Sequence, residues 1–255
     1  MKNMIFLGTF LIFASCTSFS SFYTPYFDDK TIPSEIKLKQ GEEPRLFSSN
    51  NIENDGIEIL SNHYVCIGYT YFNGPERDIT YDIKQQCRSN GATIALYSMM
   101  YTDTRSGTIS VPGQQTTTHS GSIYGSGGFG SYRGTSTTTT MNNYNYSVRR
   151  YDYIVYYFVP INTKFQFGVQ WNDLNNELRL LVQRNTGVFI NVVYKNTPAF
   201  YANILRGDVI VRVNENNINN VLDMTNIMNQ YNSGDTIEIE LIRNKQNIIV
   251  KVTLE

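Results

Sequence analysis

Apolar residues return along this chain with two different periods, and the switches between them mark its elements. In Thr236–Arg243 and Ile248–Leu254 every second position is aliphatic, the alternation of a strand with one buried face. Asn244-Lys245-Gln246-Asn247 supplies the turn between them. Val188–Val193 is a β-prone apolar run opened by Gly187, while Asp173–Leu180 and Leu222–Tyr231 read as short helices. Upstream, Tyr64–Phe72 is dense in aromatic and β-branched residues and predicts a strand. Ile79, Ile83 and Cys87 follow at four-residue spacing, one face of a helix over Asp78–Ser89. Gly91 supplies the left-handed cap that ends this helix, and Ala92–Tyr101 is a second strand. Strand, helix and strand at this spacing predict a βαβ unit with parallel strands and a right-handed crossover. Asn51–Ser61 holds a shorter helix in spite of Gly56, and Tyr151–Pro160, apolar on both pleat faces, reads as a central strand.

Between these elements Ser106–Val148 follows neither period over its length. It contains one charged residue, Arg133, and eight of the chain's 18 glycines. Two readings fit. One is a disordered low-complexity loop. The other is a long two-stranded β-ribbon, with Thr116–His119 and Thr135–Met141 as arms and Gly125–Gly130 near the tip, because threonine favours strands and glycine favours bends.

Composition narrows the function classes. With 21 basic and 22 acidic residues the net charge is −1, so no long-range field recruits nucleic acid. The 19 Tyr and 14 Phe against 17% charged residues suit β structure and surface contact. At 255 residues the chain is long enough for two domains with separate cores. The pattern predicts an α+β chain: a mixed α/β domain over 44–160 with the 106–148 insertion, then Ile161–Lys164 as a joint, then a second domain over 165–255.

At the amino terminus, Lys2 and Asn3 precede an apolar run, Met4–Ala14, too short to span a bilayer as a helix. The run ends in Phe13-Ala14-Ser15-Cys16, which resembles a bacterial lipobox. The resemblance implies a signal peptide over 1–15, lipidation of Cys16, a tether over 16–43 and a lipid-anchored protein of the bacterial envelope, facing the periplasm or the exterior. An ordinary secretory signal is the alternative. The aromatic residues of the tether, Phe19 and Phe22 among them, would lie on a membrane surface or dock on the domain. Cys66 and Cys87 are either free thiols or, in such a compartment, a disulfide.

Thr197-Pro198-Ala199, Gly207-Asp208-Val209-Ile210 and Asn214 make the stretch Phe165–Glu255 resemble a PDZ domain of the kind found in bacterial periplasmic proteases. The resemblance implies a small β-sandwich with a groove between one strand and one helix, where a peptide tail adds a strand. It further implies that amides of Phe167, Gly168 and Val169 hold the terminal carboxylate and that the peptide pairs along Val169, Gln170 and Trp171. The family often carries a glycine where this chain has Gln166. By the same comparison Leu222–Tyr231 is the groove helix, with Met224, Thr225 and Met228 on or near its groove side; the alternative is that these residues only fill the core.

Catalytic and metal patterns are weak. His63 and His119 have none of the surroundings of a Ser-His-Asp site, no Gly-x-Ser-x-Gly elbow occurs, and a tail-specific protease would need a larger serine–lysine domain. Cys66 and Cys87 lack the close partners of a zinc site, and Gly125–Gly130 lacks the Lys-Ser/Thr ending of a phosphate loop. The expectation is a non-enzymatic module without metal or cofactor, whose partners are protein or peptide tails and a membrane. The alternatives are a docking platform in an envelope assembly and an accessory subunit of a periplasmic protease.

Overall fold

The computed structural model describes residues 18–255. The segment expected as a signal peptide, 1–15, and Cys16 lie outside the described residues. The chain divides into two compact units, one made of the chain up to Phe72 with Ile79–Ser98 and Ile154–Glu255, the other of Asn73–Asp78 with Met99–Tyr153.

The first unit contains two sheets. Its amino-terminal part is built from β1 (Tyr23–Pro25), β2 (Arg45–Ser48), α1 (Ile52–Ser61), α2 (Thr80–Asn90), β3 (Tyr64–Pro75) as far as Phe72, and the ends of β4 (Ile94–Gly125) and β5 (Gly128–Pro160) that lie before Met99 and after Tyr153. The order is β1-β3-β5-β4-β2, with β1 antiparallel to β3 and β2 parallel to β4. The expected βαβ unit is therefore split: β5 lies between β3 and β4, which are not neighbours. The cause is visible in β5, where Val155, Tyr157, Phe158 and Val159 are all buried on both faces, a pattern that only a central strand satisfies.

Helix α2 buries Ile83 and Cys87 and ends at Gly91, whose φ of +79° is the left-handed cap. A Cβ there would meet Lys37 Cγ at 2.7 Å, so glycine is required for packing as well as for dihedral. On α1, Ile52, Ile59 and Leu60 pack on Ile94, Leu96 and Phe158. The segment expected as a tether is folded from residue 18 on: Phe19 is buried edge-on to Phe72, Phe22 stacks on Phe72, and Tyr26 N–H donates to the Ile67 carbonyl. Burying an aromatic side chain contributes about 1.5–3 kcal/mol, enough to draw in a segment with few other constraints. Cys66 and Cys87 are free thiols.

The carboxy-terminal part runs β6 (Val169–Asp173), α3 (Asn176–Val182), β7 (Val188–Val193), α4 (Pro198–Tyr201), β8 (Val209–Val213), β9 (Asn216–Asn217), α5 (Val221–Met228), β10 (Thr236–Arg243) and β11 (Gln246–Thr253). The strand order is β11-β10-β8-β7-β6, with β9 paired to β8. The alternation in β10 and β11 buries Ile237, Ile239, Leu241 and Val252, and these pack with Met224 and Met228 of α5. A smaller cluster of Leu174, Val209, Val211 and Ile242 packs against Leu178 and Val182 of α3. Asn244 and Lys245, both at positive φ, close the β10–β11 hairpin.

The second unit is an ordered ribbon, which decides between the two readings of 106–148. β4 and β5 turn through Ser126-Gly127. Thr108 Oγ1 donates to Asn145 Oδ1 at 2.8 Å, Ser110 Oγ to Asn143 Oδ1 at 2.6 Å, and the Thr116 and Thr137 hydroxyls meet at 3.3 Å, an antiparallel ladder of side chains. Within this unit Tyr153 donates to the Pro75 carbonyl at 2.8 Å, and the Arg150 guanidinium donates to the side chain of Asn73 at 2.6 Å.

Candidate functional site

The site is built around Gly168, at the entrance to β6. Its φ is +90°, and a Cβ there would lie 2.2 Å from Thr197 Cβ, so both dihedral and space demand glycine. The loop is held from behind. Tyr194 N–H donates to the Gly168 carbonyl and Ala199 N–H to the Phe167 carbonyl, both at 2.9 Å. Thr197, itself buried, donates its hydroxyl to the Tyr194 carbonyl at 2.7 Å. The sequence triplet Thr197-Pro198-Ala199 thus acts as a clamp: hydroxyl, helix-starting proline and small buried residue each hold the loop or its support.

β6 is an edge strand, paired to β7 on one side, with Val169 opposite Val193 and a bulge between Gln170 and Trp171. Helix α5 packs beside it, and both ends of the pair are tied. At one end the Gln166 carboxamide donates to the Tyr231 carbonyl at 2.7 Å; at the other, Val221 N–H donates to Asp173 Oδ1 at 2.8 Å. The helix therefore runs opposite to β6, with its last turn at the Gly168 loop. Gln166, where a glycine was the family expectation, is the tie at that end.

Of the residues expected here, Phe167 and Gly168 are buried, while Val169, Gln170 and Trp171 are half-buried on β6. Phe167 and Trp171 rings approach to 6.4 Å. Met224 and Met228 were expected on or near the groove side, with filling the core as the alternative. Both are buried in the core with Val188, Ile190 and Ile210, because their spacing points them at the sheet. Thr225 stays half-buried, its hydroxyl donating back to the Val221 carbonyl at 2.8 Å.

The contacts of several positioning residues could not be read from the sequence. Tyr194 stacks on Phe165 at 4.1 Å, and its hydroxyl takes a hydrogen bond from the Gln170 carboxamide; burial raises its pKa. Asn214, at φ +49°, donates to the Tyr231 hydroxyl at 2.7 Å and accepts Glu238 N–H at 2.8 Å. Asp208 is buried and accepts Leu205 N–H at 2.8 Å together with two Arg243 bonds at 2.7 and 2.6 Å, which raises the arginine's pKa. The Gly207-Asp208 pair was visible in the sequence, but its arginine partner, 35 residues on, was not.

The remaining candidates are accounted for by structure. His63 sits at φ +63° just past α1, its Nε2 2.5 Å from the Lys195 carbonyl; His119 Nε2 lies 2.9 Å from Ser136 Oγ on the ribbon. Burial pushes the Cys66 thiol up to about 11 and the Cys87 thiol up to about 12. Among the described residues no three His, Cys, Asp or Glu are grouped to hold a metal, and no helix is long and apolar enough to cross a membrane.

The PDZ domain family matches residues 166–254. The serine protease Do-like HtrA of Lactobacillus helveticus is 33% identical over 79 residues, which are 30% of this chain and 19% of that protein, so the shared part is about a fifth of the protease. Among solved structures, the HtrA3 PDZ domain bound to a phage-derived ligand (FGRWV) is 18% identical at a TM-score of 0.32, covering 36% of this chain and 86% of that one. The HtrA-type protease AlgW with decapeptide is 21% identical at a TM-score of 0.32, covering 39% of this chain and 37% of that one. Residues 166–254 of this chain form a PDZ domain of the HtrA kind.

Proposed function

We propose that this chain is a membrane-anchored envelope protein whose PDZ domain captures the carboxy-terminal tails of peptides or proteins. The observation that carries the reading is the clasped pair of edge strand and helix: β6 has a free side, and α5 is tied beside it at Gln166 and Asp173. A peptide laid along β6 gains main-chain hydrogen bonds from Val169, Gln170 and Trp171, and side-chain contacts decide which peptide is preferred. Amides of Phe167, Gly168 and Val169, turned by the positive φ of Gly168, then receive the terminal carboxylate. With Met224 and Met228 committed to the core, the contact surface is shallow, and affinity is on the order of micromolar or weaker.

The role is binding rather than catalysis. The relative's similarity covers 79 residues of a protease, His63 is engaged with a backbone carbonyl, and both described thiols are held protonated. Anchoring rests on the lipobox-like ending at Cys16. The burial of both methionines favours a second reading, in which the domain is a docking platform and no free tail binds.

Titration of the full chain with a fluorescent peptide ending in an apolar residue, and with its carboxy-terminal amide, tests the proposal. Saturable binding of the acid with loss for the amide is expected. Equal binding of the two removes the carboxylate loop from the mechanism, and no binding of either leaves the docking platform. For the anchor, Cys16→Ser moves the protein out of the membrane fraction; unchanged processing and fractionation would reject lipidation.

A further inference from the structure

The direction of the amides in the Gly168 loop is set from behind. Every peptide bond among the described residues is trans, so a carbonyl turned one way sets the following N–H the other way. The Gly168 carbonyl is turned towards β7 by the Tyr194 N–H at 2.9 Å, which sends the Val169 N–H to the open side of β6. The Ala199 bond to the Phe167 carbonyl, also 2.9 Å, turns the Gly168 N–H away from α4 in the same manner. Ala199 is held inside the PDZ domain. Tyr194 is held from outside it as well.

That outer grip comes from the end of α1. The carbonyl of Lys195 can only accept, so His63 Nε2, 2.5 Å away, carries the proton and donates to it. Lys195 N–H donates in turn to the Ser61 carbonyl at 2.8 Å, which closes both sides of the residue that follows Tyr194. The His63 ring also backs the buried Tyr194 ring at 5.8 Å and Phe165 at 5.5 Å, and these two stack on each other at 4.1 Å. His63 is itself fixed, its carbonyl taking the Ile161 N–H at 2.7 Å. On its far side Tyr194 meets β6 twice, by its amide at Gly168 and by its hydroxyl, which accepts from the Gln170 carboxamide. A displacement of His63 therefore reaches the two amides through one buried residue.

We propose that His63, outside the PDZ domain, is a positioning residue for the carboxylate loop: acting through Tyr194 it fixes the Val169 N–H, and the end of α1 sets the affinity for tails. The consequence for binding rests on the tail-capture reading. Full-length His63→Ala, His63→Gln and Glu58→Ala test it at a temperature where all are folded. The readouts are the ¹H–¹⁵N signals of Gly168 and Val169 and titration with a peptide ending in an apolar residue and a free carboxylate. His63→Ala should shift both signals and weaken binding about fivefold, the effect of one lost hydrogen bond. His63→Gln keeps an N–H donor and should recover most of that affinity. Glu58→Ala removes only the exposed ion pair to the same Lys195 and should change neither readout. Unmoved signals or unchanged affinity in His63→Ala, no recovery in His63→Gln, or equal changes in Glu58→Ala overturn the proposal. A parent that binds no tail overturns the tail-capture reading instead, and the Gly168 and Val169 signals then decide the positioning role by themselves.

Discussion

Gly168 and Thr197 show how one missing side chain organises a site. Gly168→Ala forces a residue with a Cβ to φ +90° and into contact with the Thr197 side chain at 2.2 Å. The left-handed dihedral costs roughly 1–2 kcal/mol and overpacking about 1–3 kcal/mol, so urea denaturation of the full chain should show a loss of at least about 2 kcal/mol. Gly127→Ala, with nothing within 4 Å of the added Cβ, is the matched control and should be close to neutral. Lys245 is the opposite case: it holds φ +66° in the β10–β11 turn without being glycine. Lys245→Gly should raise stability by about 0.5–1 kcal/mol, read from the same denaturation curves, because the left-handed dihedral strains lysine and not glycine. The two buried thiols give a pH dependence. Their folded pKa values, about 11 and about 12, lie above the ordinary value of 9.0, so the folded state keeps protons that the unfolded state loses. Stability contributed by the neutral thiols is intact below pH 9 and falls as pH rises from there toward 11 and 12. Cys66→Ser with Cys87→Ser should flatten that alkaline limb in melts taken across pH 8–11, a range set about the ordinary thiol value.

Elements were legible where one face meets a core. The alternating residues of Thr236–Arg243 became β10 with those bounds, and the four-residue spacing of Ile79, Ile83 and Cys87 became the buried side of α2, since period alone sets which side chains share a face. The faces of the ribbon were less readable, because threonine and glycine satisfy strand and bend equally and its aromatic positions are covered by no core. The split of the βαβ unit was hidden for another reason: spacing says how long a crossover is, not whether a later strand enters between its two strands. In the site, Gly168 was expected on the loop and Thr197-Pro198-Ala199 stood out as a mark of the family but not as a support of that loop, and the ties from Gln166 to Tyr231 and from Asp173 to Val221 join residues dozens of positions apart. These ties have measurable weight. Asp173→Ala leaves the first amide of α5 without its carboxylate and should cost about 1 kcal/mol in denaturation, with weaker tail binding as β6 and α5 separate.

At the scale of the whole molecule, the PDZ domain is joined to α1 by more than the joint at Ile161–Lys164. Lys195 N–H donates to the Ser61 carbonyl at 2.8 Å, the Lys195 carbonyl meets His63 Nε2 at 2.5 Å, and Lys195 Nζ pairs with Glu58 at 2.5 Å. Arg206 adds a pair with Glu53 at 2.9 Å. The ion pairs are largely exposed and contribute little, about 0–1 kcal/mol each. The two bonds at the Lys195 backbone contribute about 1 kcal/mol each, and the His63 ring also covers Phe165 and Tyr194. That total is small beside the core of Val188, Ile190, Ile210 and Ile239, which the domain closes with its own residues. Residues 161–255 expressed alone should therefore fold and melt cooperatively, at a midpoint some degrees below that of the same domain in the full chain. Calorimetry on both proteins decides it. A fragment without a cooperative transition would mean that α1 completes the fold, and an unchanged midpoint would mean that the Lys195 contacts couple nothing. His63→Ala in the full chain should reproduce part of the fragment's shift, whereas Glu53→Ala should leave the midpoint where it was.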